Sequence, residues 1–179
     1  MLKLTANFCR SSGYWLLIFL FALSLELIAL YFQYQLGYGP CVLCVEIRAI
    51  VFAVMIVSLI AIFVCKNNIL ANLMNLLLIA SGVMLYLKSD YLLLIERNLV
   101  EGSCGFKPNF PTWLPLDEWL PSVFQAWEAC GYTPMLWLEI TMAEGLIYCS
   151  WFIIALGAVS FLLNVFFGKR NRELHLFNK

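Results

Sequence analysis

The sequence predicts an all-α integral membrane protein, a four-transmembrane-helix bundle with a long outer loop that carries short interfacial helices. Three observations predict it: four apolar runs long enough to cross about 30 Å of hydrocarbon, basic residues concentrated in the connections on one side, and an excess of acids over bases on the other. With 63% hydrophobic and only 12% charged residues and a mean hydropathy of +0.87, the chain is too apolar for a water-soluble domain. Formal net charge is zero, which offers no basic surface to nucleic acid.

The runs extend from Tyr14 to Phe32, Val45 to Val64, Ile69 to Leu87 and Leu146 to Phe167, within a single membrane domain over 1–179. Helices are required, because isolated strands leave backbone groups unpaired in lipid. The first run follows Lys3 and Arg10 as a signal peptide would, but it is long and Gln33-Tyr34-Gln35-Leu36 offers no small-residue cleavage site, so it reads as a retained span. Lys3, Arg10, Lys66, Lys169, Arg170 and Arg172 mark the cytoplasmic side, with both termini inside. The loop over 33–44 is uncharged, and the loop over 88–145 is rich in acids such as Glu101, Asp117, Glu118, Glu128 and Glu139; both face outward. Within the long loop, Trp113, Leu116, Leu120, Val123, Phe124 and Trp127 recur at helical spacing. Pro115 and Pro121 suit first turns, which predicts two short helices lying at the interface or packed as a lid on neighbouring loops.

This topology sorts the seven cysteines. Cys9, Cys65 and Cys149 read as small apolar residues. Cys41, Cys44, Cys104 and Cys130 fall on the outer, oxidising side, where their pairing stays open among three possibilities. Cys41-Val42-Leu43-Cys44 is a C-x-x-C. A zinc site would need two more ligands, yet the one histidine, His175, lies in the cytoplasmic tail, and no histidine follows Cys44 to mark haem attachment. A redox dithiol remains, and no metal site is expected. Cys44 stands near the start of the second span, where helix N–H groups favour a thiolate. Arg48 is one turn further on, about 6 Å along the axis, placed to lower a thiol pKa or to donate to an electron-rich carbonyl, with snorkelling to headgroups as the plainer role. Glu26, inside the first span, should be neutral or paired with Arg48 or another polar group. Glycines at 102 and 105 and prolines at 108 and 111 leave Cys104 on an extended, reachable segment, although a plain structural staple with Cys130 is the simpler reading.

Taken together these residues resemble the DsbB family of bacterial inner-membrane disulfide-generating quinone reductases. The resemblance covers most of the length: four spans, Leu25-Glu26-Leu27, the C-x-x-C with Arg48, the stretch from Phe110 to Phe124, and Cys104 with Cys130. It implies a protein-dithiol:quinone oxidoreductase of the inner membrane that serves periplasmic protein folding, with catalytic Cys41, Cys44, Cys104 and Cys130. A periplasmic DsbA-like thiol oxidase would attack Cys104. The Cys104–Cys130 pair, once reduced, would exchange with Cys41–Cys44, and Cys44 beside Arg48 would deliver the electrons to ubiquinone or menaquinone. Two departures concern the quinone: Glu46 and Ile47 replace an aromatic residue followed by an acid, and Tyr91 stands where some relatives carry a histidine. A vitamin K epoxide reductase type of enzyme would carry its C-x-x-C late in the chain. A tetraspan scaffold with a disulfide-stapled loop would have no use for Arg48.

Overall fold

The structure, a computed structural model, describes residue 9 and residues 11–100, 108, 110, 115–128 and 140–177, with backbone alone over 167–177. The described residues are helical, in the order α1 (Ser12–Tyr34), α2 (Val42–Val64), α3 (Asn68–Glu96), α4 (Leu116–Trp119), α5 (Pro121–Phe124) and α6 (Met142–Phe177). Four are long and apolar enough to cross a membrane: α1, α2, α3 and the Met142–Phe166 part of α6. The chain is thus an all-helical, multi-pass membrane protein, as its hydropathy predicts.

Local chemistry sets the helix starts. The Ser11 hydroxyl accepts the Tyr14 N–H, and the Asn67 side chain accepts that of Ile69 at 3.1 Å. Thr141 and Glu144 form a capping box, Thr141 N–H donating to Glu144 Oε2 (3.3 Å) and Glu144 N–H to Thr141 Oγ1 (3.4 Å). Arg97, just beyond α3, ties to the same carboxylate at 2.9 Å and so joins the outer ends of α3 and α6.

The α3 helix continues past the apolar run that predicts it. Leu85, Ser89, Leu92 and Ile95 keep a buried stripe at helical spacing through the charged Lys88-Ser89-Asp90 stretch, so packing carries the helix where hydropathy stops. Lys88 pairs there with Glu46 of α2 at 2.6 Å.

Within lipid, close backbone approach rather than apolar contrast holds helices together. A Cβ on Gly82 would meet Ile154 Cγ1 at 2.8 Å, and one on Gly157 would meet Ile79 Cγ1 at 2.8 Å, so α3 and α6 lie against each other at both glycines. In turn, α1 packs on α2 and α2 on α3. Contact between α1 and α6 lies in one half of the bundle: Tyr14 OH donates to the Leu156 carbonyl (3.1 Å) and accepts from Ser160 (2.6 Å), and Phe21 meets Phe152 edge-on at 5.4 Å.

The short helices α4 and α5 follow Pro115 and begin at Pro121, as the proline positions predict. Leu116 and Phe124 are buried against Val45, Ala49 and Phe52 of α2, so the segment packs as a lid, whereas Trp119 is 61% exposed and Trp127, beyond α5, meets Tyr34 of α1 edge-on at 6.2 Å. Of the two predicted roles, the packing is that of a lid, seated on α2.

Candidate functional site

The C-x-x-C starts α2, and the structure makes Cys41 itself the N-cap. Cys41 Sγ accepts the Cys44 N–H at 3.2 Å, and the two sulfurs stand 2.6 Å apart. The helix-start stabilisation predicted at Cys44 therefore falls on Cys41. Spacing explains it: an N-cap side chain reaches the N–H three residues on, and Cys44 is that residue. A thiol is a weak acceptor but a thiolate a strong one, so the capped helix favours the ionised form. Hydrogen bonding from the Cys44 thiol, joined by backbone N–H donation, holds the Cys41 thiol below its ordinary value despite burial.

Arg48 lies one turn beyond Cys44, only 6% exposed, and does not snorkel. Its Nη1 donates to Gln33 Oε1 of α1 and to the Val123 carbonyl at 3.0 Å. Gln33 Nε2 and Tyr34 OH donate to the neighbouring Ser122 carbonyl at 3.3 and 2.6 Å. Carbonyls at the end of a short helix lack partners within it, and α5 finds them in these three side chains. Arg48 and Gln33 thereby fasten the lid to α1 and α2. Gln33 escapes a sequence reading because it follows the apolar run and looks like loop. Its spacing of seven from Glu26, two turns along one face, is the signal that could have found it.

The segment between α5 and α6 returns to the C-x-x-C. Trp127 N–H donates to the Pro40 carbonyl at 2.9 Å, and Cys41 and Glu128 form an isolated parallel bridge. Gly39 permits this approach, since a Cβ there would stand 2.9 Å from Glu128 Cγ and 3.0 Å from Trp127 Cβ. The predicted Cys104 and Cys130 lie outside the described residues.

A cavity of about 190 Å³ adjoins the site. Its wall includes Glu26, Ala29 and Phe32 of α1, Cys44 and Arg48 of α2, Leu92 of α3, and Met142, Leu146 and Cys149 of α6. It separates α1 from α6 near their outer ends, beyond the contacts at Tyr14 and Phe21. Cys149, read from sequence as a small apolar residue, shares this wall with Cys44; Tyr91 is not part of it. Glu26 is 8% exposed, and its Oε1 has no hydrogen-bond partner. Among the described residues no ion pair joins it to Arg48. The arrangement couples a dithiol, a fixed guanidinium and an apolar slot within about two turns of helix.

A family model described as "Disulfide bond formation protein DsbB" matches residues 11–160. Proteins named Disulfide bond formation protein B are similar along the chain. One from Shewanella frigidimarina is 35% identical over 144 residues, covering 77% of this chain and 82% of its own. One from Sodalis glossinidius is 35% identical over 167 residues, covering 89% and 90%. One from Yersinia enterocolitica is 33% identical over 178 residues, covering 97% and 98%. With a family match across all four spans and the paired sulfurs at the head of the second, the chain belongs to the DsbB family of membrane proteins of disulfide bond formation.

Proposed function

We propose that this protein reoxidises a periplasmic DsbA-like dithiol protein and passes the electrons through two cysteine pairs to a membrane quinone, ubiquinone or menaquinone. The observation that carries this reading is the position of Cys44, which shares a cavity wall with Arg48 while the backbone of its partner, Cys41, is bridged to the loop between α3 and α6. Cys130 follows Glu128 by two residues, and a chain spans at most about 7 Å over that separation. The charge pattern supports an inner-membrane orientation with both termini cytoplasmic and both cysteine loops in the periplasm.

The cavity suits a quinone head group. An apolar cavity of about 150 Å³ can accept a benzene ring, so about 190 Å³ matches a substituted six-membered ring. A bound quinone would supply a lipid-soluble acceptor for two electrons. Leu25, Ala29, Leu92 and Leu146 would hold its ring, and Arg48 would donate hydrogen bonds to an oxygen on it.

The test is direct. Detergent-purified protein with a reduced DsbA-like substrate is expected to reduce added short-chain ubiquinone, and Cys44→Ser to abolish this. Reduction that survives both Cys44→Ser and Cys104→Ser overturns the relay.

A further inference from the structure

We propose that Glu26 is a further catalytic residue of this site, the acid that hands a proton to the reduced quinone; the inference rests on the quinone reading above. Oxidising the dithiol breaks two S–H bonds, forms one S–S bond between Cys41 and Cys44, and releases two electrons and two protons. A quinone that takes the electrons must gain two O–H bonds on oxygens at opposite ends of its ring. A slot walled by Leu25, Ile28, Ile47, Val51, Leu92 and Leu146 holds little water to supply them.

The groups in that wall able to hold a proton are few. Arg48 does not give one up, and its Nη1 is bound to Gln33 and Val123. Cys44 stands on α2 beside Arg48, so its proton serves that side. Cys149 of α6 is a weak donor, and Tyr38 lies in the loop after α1. Glu26 is the one carboxyl in the wall, on α1. It is more than nine-tenths buried, and Oε1 meets no protein donor or acceptor. A carboxyl left unsatisfied inside a spanning helix costs stability, and an apolar residue would pack there without that penalty. Such a group is retained for a ligand it meets.

The step balances. As the electron pair leaves the thiolate, Glu26 gives its carboxyl proton to the ring oxygen nearest it. The Cys44 thiol proton goes to the oxygen on the Arg48 side, and the resulting Glu26 carboxylate takes up the second proton of the dithiol, the one that Cys41 releases on ionising. Net, dithiol and quinone become disulfide and quinol, and Glu26 ends as it began.

Two measurements test this. The first reads the carboxyl without turnover: dicyclohexylcarbodiimide, an apolar reagent that adds only to protonated carboxyls, is applied to the oxidised protein and its adducts are mapped by mass spectrometry. An adduct at Glu26, absent in Glu26→Gln and suppressed by excess short-chain ubiquinone, is expected. The second follows single-turnover quinol formation, which Glu26→Gln should slow about 100-fold or more with KM for quinone nearly unchanged, the range for loss of a general acid, while Glu26→Asp keeps part of the rate. A Glu26 that resists the carbodiimide, or a Glu26→Gln protein that reduces quinone at the wild-type rate, overturns the assignment while leaving the quinone reading intact. A wild-type protein that reduces no quinone overturns both.

Discussion

Replacing Gly39 by alanine tests whether the docked second loop is part of the working site. The new methyl would lie 2.9 Å from Glu128 Cγ and 3.0 Å from Trp127 Cβ, some tenths of an ångström inside ordinary contact. Both atoms sit close to the backbone of the docked strand, so the strand itself must move. The Trp127 N–H to Pro40 bond and the Cys41–Glu128 bridge are then strained or lost. Overpacking costs about 1–3 kcal/mol, and a backbone hydrogen bond contributes about 1 kcal/mol net. A combined loss of about 2–4 kcal/mol lowers the docked population roughly 30- to 900-fold. Hydrogen exchange at the Trp127 amide should accelerate by that factor. Disulfide exchange into Cys41 should slow by a similar factor. Wild-type exchange at Trp127 together with a wild-type relay rate would refute the reasoning.

Two further outcomes follow from the packing and the titration of the site. Phe124 is 1% exposed and meets Phe52 and Phe110 edge-on at 6.1 and 6.3 Å, so Phe124→Ala should destabilise the lid by about 3–5 kcal/mol and expose 116–124 to protease; unchanged resistance there would show that the lid is held by other contacts. Cys41 is held low first by the hydrogen bond from the Cys44 thiol, so in the reduced protein it stays a thiolate at a pH where an ordinary thiol is protonated. Its alkylation by iodoacetamide should level off at lower pH than in Cys44→Ala, where losing that donor moves the inflection upward; an inflection that stays put or falls would sink the account.

Much of this architecture is legible along the chain because its causes are local. Apolar run length decides spanning, and proline spacing divides the lid into α4 and α5. Cys41, Cys44 and Arg48 are set together by three- and four-residue offsets on one helix. The roles of Gln33 and Cys149 are hidden for a different reason. One sits where hydropathy ends, and the other belongs to a helix apolar on every side.

By itself, then, the sequence determined that four helices span a membrane, that a C-x-x-C heads the second with an arginine one turn on, and that two short helices follow Pro115. Only the tertiary structure decided that Cys41 rather than Cys44 caps its helix, that Gln33 and Arg48 pin the lid, that residues 127–128 dock on Pro40 and Cys41, and that Glu26, Cys44 and Cys149 wall one cavity. The physical reason is that a soluble helix advertises its inward face by contrast with water. A lipid-facing helix is apolar all round, so its rotation and register are set by the neighbours it meets at Gly82, Gly157 and Tyr14.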